Sequence, residues 1–210
     1  MTHSEPDLEA AYALETPEDN KRLYADWAET YDSSFAEDMD YRLAAQVGQI
    51  FEEVGGTATP VLDVGAGTGL VVRDITLRPG VEVDALDLSA EMLEVAARLG
   101  KYRAFLRCDL TKALPIETAT YGAILSAGTF THGHVGPDAL DELLRIAKPG
   151  AVFVLSVNAE HFSSRGFEAK FAGLEPQIRD LDLRTIDIYG AAAESEHKRD
   201  QAKVAVFRKR

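Results

Sequence analysis

Apolar and polar residues follow one another along this chain with two different periods, and the change falls near residue 57. Over residues 17–54, apolar side chains recur every three or four positions, a spacing that indicates amphipathic helices. Two consecutive glycines at positions 55 and 56 end this pattern. Residues 1–56 are therefore predicted to form an N-terminal helical arm, and residues 57–210 the main domain.

In the main domain, short and nearly continuous apolar segments alternate with segments of helical period. The predicted strands are residues 61–64, 81–86, 104–106, 121–125 and 151–157, and the predicted helices are residues 70–77, 89–99, 137–147 and 160–173. This alternation is typical of a parallel sheet with helices on both faces. Residues 181–189 and 203–207 form a last strand pair, which has no room for a crossover helix and is therefore predicted to be antiparallel. We expect a doubly wound, Rossmann-like α/β fold with a mostly parallel seven-stranded sheet and an antiparallel C-terminal strand.

Charge and cysteine content narrow the partners that this domain can bind. The 210 residues carry a net charge of −13, whereas nucleic acids and anionic membranes are bound mainly by clustered lysine and arginine. Cys108 is the single cysteine, so the chain can form neither an internal disulfide nor a thiolate metal cluster. The N-terminus lacks a signal-peptide pattern, and no apolar run approaches the roughly 20 residues of a membrane span. We expect a cytoplasmic protein without nucleic-acid or membrane partners.

A glycine-rich loop carries the main functional signal. Residues 63–69, Asp-Val-Gly-Ala-Gly-Thr-Gly, follow the first predicted strand and open the first helix, where doubly wound folds bind nucleotides. Leu70 stands where the dinucleotide fingerprint has a small residue, and Asp63 would repel a pyrophosphate but suit a ligand with an amino group and a sulfonium. Asp87 ends the second strand, about 20 residues after Gly67, where a carboxylate can hold ribose hydroxyls or simply cap the next helix. This spacing alone does not separate NAD from S-adenosylmethionine.

Five motifs in order resemble those of the class I S-adenosylmethionine-dependent methyltransferases. They are Asp-Val-Gly-Ala-Gly-Thr-Gly at 63–69, Leu-Asp-Leu-Ser-Ala-Glu-Met-Leu at 86–93, Arg-Cys-Asp-Leu at 107–110, Tyr-Gly-Ala-Ile-Leu-Ser at 121–126 and Leu-Arg-Ile-Ala-Lys-Pro-Gly at 144–150. The resemblance implies S-adenosylmethionine as the cofactor and assigns its parts to residues of these motifs. The methionine portion would meet Asp63, Gly65, Ala66 and Gly67, the ribose Asp87, the adenine Leu88, Met92, Asp109 and Leu110, and the sulfonium Ser126.

The arm extends this resemblance. Residues 23–32, Leu-Tyr-Ala-Asp-Trp-Ala-Glu-Thr-Tyr-Asp, are similar to a segment of small-molecule methyltransferases in which an N-terminal helix closes over the cofactor. Tyr24, Trp27 and Tyr31 would then contact the cofactor, or form the core-facing stripe of an amphipathic helix; both can hold at once. With Tyr41-Arg42 and the last strand pair, the chain is similar to the methyltransferase-like group of the Williams–Beuren region and its bacterial relatives. This resemblance implies a small-molecule acceptor without identifying it.

Candidate catalytic residues lie in the loop expected after the fourth strand, residues 126–136. His132 and His134 are candidates for a general base, because histidine titrates near neutral pH and a hydroxyl or carbon acceptor usually needs a base. In an extended loop they would point in opposite directions, so at most one would face the donor. A structural role is the alternative for both, and His161 is a further candidate.

Other functions are excluded or remain open. A metal-dependent methyltransferase of this family has carboxylates where this chain has Ser126 and Asn158, so no metal is expected. A S-adenosylmethionine-binding protein without catalysis and an NAD-dependent oxidoreductase both remain possible on these residues. The oligomeric state cannot be derived from the sequence.

Overall fold

The computed structural model describes residues 23, 27–28, 31, 36, 39–55, 58–131, 135–193 and 196–210. Tyr24, His132 and His134 lie outside these residues. The helices are α1 (Leu43–Val54), α2 (Leu70–Arg73), α3 (Ala90–Ala97), α4 (Ala139–Ile146), α5 (Ala159–Ser164) and α6 (Phe167–Leu174). The strands are β1 (Val61–Val64), β2 (Val83–Asp87), β3 (Ala104–Arg107), β4 (Tyr121–Phe130), β5 (Ala147–Asn158), β6 (Ile178–Asp187) and β7 (Gln201–Lys209). Within the described ranges, no helix has both the length and the apolar character needed to span a membrane.

The strands form one seven-stranded sheet in the order β3-β2-β1-β4-β5-β7-β6. β1 to β5 run parallel to one another, whereas β7 is antiparallel to both of its neighbours, β5 and β6. This topology confirms the predicted doubly wound sheet and its antiparallel C-terminal strand. The strand order reverses between β1 and β4, and folds of this kind bind ligands in the crevice outside the carboxyl ends of the strands at that point.

Helices cover both faces of the sheet, as predicted. On one face, α1 and α2 share a core with alternate strand residues such as Val61 and Val154, and Leu93 of α3 packs against Ala85 of β2. On the opposite face, α4, α5 and α6 share a second core with Phe153 and neighbouring strands. Successive side chains of a strand point to opposite faces, so burial on both faces explains why the strands are continuously apolar.

β4 is longer than predicted. It continues to Phe130 rather than ending at residue 125, because it pairs with β5 as far as Phe130 and Val157 after an irregularity that begins at Ser126. Polar and small residues at 126–129 hide this extension from a reading of hydrophobic pattern. The loop with the candidate histidines therefore begins at residue 131 rather than 126.

α2 is shorter than predicted. It ends at Arg73 rather than continuing to residue 77. The Lys101 ammonium donates hydrogen bonds to the carbonyl oxygens of Val72, Arg73 and Ile75, with Nζ–O distances of 3.0, 2.6 and 3.1 Å. These bonds satisfy carbonyls that would otherwise accept from the next helical turn, so the chain can leave the helix there.

The described part of the arm packs on the α1 face of the sheet. α1 ends at Val54 with Gly55 as its C-cap, as the glycine signal predicted. Trp27 is 1 % exposed and belongs to the core that α1 forms with the sheet. Tyr31 packs edge-on against Trp27, with 5.2 Å between the ring centroids. Trp27 thus occupies the core-facing position that was one of its two interpretations.

Candidate cofactor and acceptor site

A cavity opens at the carboxyl ends of β1, β2 and β4, beside the point where the strand order reverses. Its described lining comes from the arm, the glycine loop, the segments after β2 and β3, and the end of β4. These residues are Tyr31, Tyr41, Ala44, Gly65, Ala66, Gly67, Thr68, Leu70, Val71, Leu86, Asp87, Leu88, Ser89, Met92, Cys108, Asp109, Leu110, Thr111, Ala127, Gly128, Thr129 and Val135. Residues predicted to bind the cofactor from four separate segments are therefore brought together around one cavity.

The glycine loop presents open backbone to this cavity. Gly65, Gly67 and Gly69 have φ angles of 64°, 55° and 94°, a region that glycine adopts without steric cost. A Cβ atom on Gly67 would meet no atom within 4 Å. A Cβ atom on Gly65 would instead collide with Thr129 Oγ1 of β4. Gly67 thus leaves room for a ligand, whereas Gly65 leaves room for the neighbouring strand.

Asp63 belongs to β1, two positions before the first glycine of the loop, and is fully buried. Its Oδ2 accepts a hydrogen bond from Tyr102 Oη at 2.7 Å, whereas Oδ1 has no partner among the described residues. Burial raises the pKa of Asp63 to about 7, while the hydrogen bond from Tyr102 favours the carboxylate. Buried acceptors are nearly always satisfied in proteins, so Oδ1 indicates where a ligand can supply a donor.

Asp87, the last residue of β2, braces the glycine loop. Its Oδ2 accepts from the Gly67 N–H at 2.8 Å, and its Oδ1 accepts from the Ser89 N–H at 2.9 Å. Burial raises the pKa of Asp87, and these backbone hydrogen bonds act in the opposite direction. A carboxylate has about four lone-pair sites, so Asp87 retains capacity to accept a further hydrogen bond from the cavity. Ser89 itself caps α3, since its Oγ accepts from the Met92 N–H at 3.2 Å, as predicted.

The segments after β2 and β3 make a mainly apolar part of the lining. The side chains involved are Leu88, Met92, Cys108 and Leu110. Asp109 stands among them, with Oδ1 accepting from Thr111 N and Oγ1 at 2.9 and 2.6 Å and Oδ2 paired with Lys112 Nζ at 2.9 Å. Burial opposes the charged form of Asp109, but these partners outweigh it and lower its pKa. Asp109 is therefore an ionised acceptor beside an apolar surface, an arrangement that suits a flat base with an amino group.

Ser126 and Trp27, like Asp63, do not line the cavity directly. Ser126 is fully buried, and its hydroxyl donates to the Val64 carbonyl oxygen at 2.8 Å. Thr129 Oγ1 donates to the same carbonyl at 2.9 Å and does line the cavity. The end of β4 thus faces the cavity through residues 127–129, and the contact of Ser126 with the sulfonium stays a prediction.

Tyr41, Thr129 and Val135 line the cavity without having been singled out as site residues from the sequence. Tyr41 is held there because it forms an isolated antiparallel bridge with Tyr189, in the connection between β6 and β7. A hydrogen bond from the Arg42 N–H to the Ile188 carbonyl, at 2.9 Å, supports this bridge. A pairing between positions so distant along the chain has no local sequence signal, so only the fold reveals it.

His161, the third histidine candidate, is buried in α5 and does not line the described cavity. Its Nε2 lies 3.2 Å from the Val135 carbonyl oxygen, and its ring packs at a tilt against Phe167, with 5.5 Å between centroids. His161 therefore anchors the residue that follows the 132–134 segment. The positions of His132 and His134 lie outside the described residues, so their catalytic role stays a prediction.

The described residues offer no metal centre, since none of their His, Cys, Asp and Glu side chains form a group of three or more placed to hold a metal ion. Asn158, at the end of β5, has a structural role. Its Oδ1 accepts from the N–H groups of Glu160 and His161 at 3.0 and 3.2 Å and so caps α5.

The chemistry of these donors and acceptors fits S-adenosylmethionine. Asp63 Oδ1 is a buried acceptor suited to an ammonium group, and Asp87 has lone pairs left for ribose hydroxyls. Gly67 leaves room for close approach of the ligand to its backbone. The described lining contains two carboxylates and no lysine, arginine or histidine, a balance that favours a cationic ligand over a pyrophosphate.

Comparison with known proteins agrees with this chemistry. Residues 62–155 match a family model described as a methyltransferase domain. The chain is 28% identical to human methyltransferase-like protein 27 over 171 residues, which are 80% of this chain and 69% of that protein. It is 31% identical to the demethylmenaquinone methyltransferase of Tropheryma whipplei over 158 residues, or 72% of this chain and 62% of that enzyme. The chain therefore spans only about two thirds of the length of these curated relatives.

A solved structure shows the same fold. The N-methyltransferase NodS from Bradyrhizobium japonicum, in complex with S-adenosyl-L-homocysteine, superposes with a TM-score of 0.62 over 90% of this chain and 98% of that one, at 15% identity. The family match lies on the segment from β1 to β5, which carries the glycine loop, Asp87 and Asp109. On these grounds residues 62–155 carry a methyltransferase domain, similar to S-adenosylmethionine-dependent methyltransferases in sequence and in fold.

Proposed function

We propose that this domain transfers the methyl group of S-adenosylmethionine to a small, uncharged and largely apolar acceptor. The observation behind this proposal is the set of residues that line the cavity described above. Asp87 at the end of β2 and Asp109 after β3 supply carboxylates to its lining, with Asp63 of β1 buried nearby, while the residues contributed by the arm and by the end of β4 are aromatic, small or apolar.

We infer the position of the cofactor from three carboxylates. Asp63 Oδ1 would accept from the α-ammonium, Asp87 from the ribose hydroxyls and Asp109 from the adenine amino group, with Gly65, Ala66 and Gly67 along the methionine chain. Bound S-adenosylmethionine supplies a methyl group already activated by a sulfonium, which an acceptor attacks in line. The protein's tasks are then to hold the two reactants in this geometry and to exclude water.

The acceptor side of the cavity favours an uncharged molecule. It is lined by Tyr31, Tyr41, Ala44, Ala127 and Val135. An anionic acceptor would lose its hydration on entering the cavity, and the described lining residues include no cation to compensate for that loss. The net charge of −13 would also repel an anion from the protein. A demethylmenaquinone methyltransferase among the relatives is named for a small-molecule acceptor, which is consistent with this proposal.

The first test is calorimetric titration with S-adenosylmethionine, S-adenosylhomocysteine and NAD in parallel. Micromolar binding of the first two ligands without binding of NAD is the expected result, because the described lining offers no cation for a pyrophosphate. Binding of NAD alone would refute the proposal in favour of an oxidoreductase.

The second test uses a methyl-labelled cofactor and a panel of acceptors. The panel contains phenols, amines and thiols, each as a neutral compound and as the same compound with an added carboxylate. We expect transfer to the neutral member of at least one pair and little or none to its carboxylate partner. Preference for the carboxylates would overturn the assignment of acceptor class, and cofactor binding without transfer to any acceptor would favour a non-catalytic binding protein.

We further propose that His132 or His134 supplies the base when the acceptor is a hydroxyl or a carbon acid. Replacing each with alanine is expected to slow turnover on such an acceptor by roughly 10²–10⁴-fold for the active base, with cofactor affinity unchanged. A matched amine acceptor, which needs no base, should be methylated at the original rate. If neither replacement slows turnover, then positioning alone carries the reaction and both histidines have other roles.

A further inference from the structure

The hydrogen bond between Tyr102 and Asp63 joins two residues that the methyltransferase motifs do not connect. Tyr102 lies just before β3, outside the motif segments, and its Oη donates to Asp63 Oδ2 at 2.7 Å. Asp63 is fully buried, and its second oxygen has no partner among the described residues. One carboxylate oxygen is therefore paired within the protein, and the other has no partner among the described residues.

Tyr102 is itself held in place from several sides. Its ring packs edge-on against Phe105, with 5.8 Å between centroids, and lies 3.1 Å from the position that a Cβ on Gly69 would take. Its neighbours are also anchored: Lys101 bonds to the carbonyls that end α2, and Arg103 bonds to both oxygens of Asp84 at 2.9 and 2.7 Å. The hydroxyl of Tyr102 is thus presented to Asp63 by a rigid segment.

The surroundings of Asp63 make this one donor important. The titratable groups that act on Asp63 are Tyr102 and Asp87, and Asp87 carries the same charge and opposes ionisation. Its register partners, Ala85 on β2 and Leu125 on β4, are uncharged. Burial beside Asp63 raises the pKa of the Tyr102 phenol above its usual range, so Tyr102 remains a donor throughout the physiological range.

We propose that Tyr102 is a positioning residue of the cofactor site, whose hydroxyl favours the ionised form of Asp63 and orients its carboxylate so that Oδ1 can pair with the α-ammonium of S-adenosylmethionine. This inference rests on the proposed contact between Asp63 and the cofactor. It adds that the contact depends on a residue before β3 and depends on pH, because a protonated Asp63 cannot pair with an ammonium group. The pKa of Asp63, about 7, places that dependence within the range of ordinary binding experiments.

The test is calorimetric titration of S-adenosylmethionine into the full chain and into Tyr102→Phe between pH 6 and 8.5. Loss of one hydrogen bond to the charged form is expected to raise the pKa of Asp63 by about one unit. Tyr102→Phe should then bind about eightfold more weakly than the unchanged chain at pH 6.5 and less than twofold more weakly at pH 8.5. Titration of the ligand's own amine affects both proteins equally and cancels from this ratio.

Tyr121→Phe is the matched control. Tyr121 Oη also donates to a buried carboxylate, Asp84 Oδ2 at 2.9 Å, but Arg103 bonds to both oxygens of Asp84, so neither oxygen lacks a partner. The affinity of Tyr121→Phe for S-adenosylmethionine, relative to that of the unchanged chain, should stay constant with pH. A second control uses 5′-methylthioadenosine, which has the adenosine and sulfur but no amino-acid chain, and whose affinity for Tyr102→Phe should follow that of the unchanged chain at every pH.

A second variant, Asp63→Asn, guards against poor folding of Tyr102→Phe. It removes the ionisation while keeping an acceptor for Tyr102, so its affinity should be low and independent of pH between 6 and 7.5. A constant affinity ratio for Tyr102→Phe across the pH range would overturn the inference, since it would show a structural role only. Failure of the unchanged chain to bind S-adenosylmethionine at any pH would instead refute the proposed function, and the inference with it.

Discussion

Asp63→Asn is expected to stabilise the fold in the absence of ligand while weakening cofactor binding. Burial raises the pKa of Asp63 from 3.8 to about 7. Because the folded-state pKa lies above the unfolded one, the folded protein binds the additional proton, and stability declines as pH rises from about 4 to 7. At 1.36 kcal/mol for each pKa unit, the ionised Asp63 costs the folded state about 4 kcal/mol above pH 7. Asparagine has a similar shape and carries no charge at any of these pH values.

Thermal unfolding of both proteins between pH 5.5 and 8 measures this cost. The unchanged chain should lose about 2 kcal/mol across this interval from Asp63 alone, and Asp63→Asn should not. For a domain of this size that corresponds to a difference in Tm that widens by about 4–8 °C from pH 5.5 to pH 8. The change with pH is the informative quantity, since the fixed effect of the amide group is the same at every pH. Parallel dependences of Tm on pH would refute the assignment of a buried, ionising Asp63.

Two further predictions concern the glycine loop and Asp87, which accepts a hydrogen bond from that loop. Gly65→Ala should lower the free energy of unfolding in urea more than Gly67→Ala, because only the former collides with Thr129; Gly67→Ala should cost about 1–2 kcal/mol from its positive φ alone. The opposite order would show that backbone strain, not contact with β4, decides the effect. Asp87→Ala leaves the Gly67 and Ser89 N–H groups without their acceptor and should weaken S-adenosylmethionine binding by roughly 1–3 kcal/mol in calorimetry. An unchanged affinity would mean that Asp87 does not hold the ribose.

The elements that hydrophobic pattern predicted well are those whose burial is continuous. Val61, Leu62 and Val64 of β1 are apolar because helices cover both faces of the sheet there. The Ser89 cap was also predictable, since a serine before a helical period has a local mechanism that needs no distant partner. The antiparallel pair of β6 and β7 followed from the shortness of their connection.

Elements that depend on a distant partner were not predictable in the same way. Pairing with β5 extends β4 to Phe130 through residues of no clear period. Lys101 ends α2 from almost thirty positions away, with a separation of 28 residues between Lys101 and Arg73. The helical period of residues 70–77 gives no sign that the ammonium group of a distant lysine will bind the carbonyl oxygens of this segment.

The site shows the same distinction between features with a local sequence signal and features that depend on distant partners. Gly67 and Asp87 could be singled out from the sequence, because they lie at or just after the ends of parallel strands, which meet at one edge of the sheet. Asp109 was assigned through the resemblance of its motif to those of the family. Hydrogen bonds between distant parts of the chain within the site could not be predicted. Ser126 turns its hydroxyl to the Val64 carbonyl, and Tyr102 reaches Asp63 across 39 positions.

The sequence by itself determined the fold class and the edge of the sheet where the cofactor is predicted to bind, because burial and strand order produce a periodic hydrophobic pattern along the chain. The tertiary structure alone decided which atoms of those residues are occupied and which are left for a ligand. Asp63 illustrates the difference, since its charge depends on burial, on one phenol and on a second carboxylate. Such contacts form only after folding brings separate segments together, and no local pattern records them.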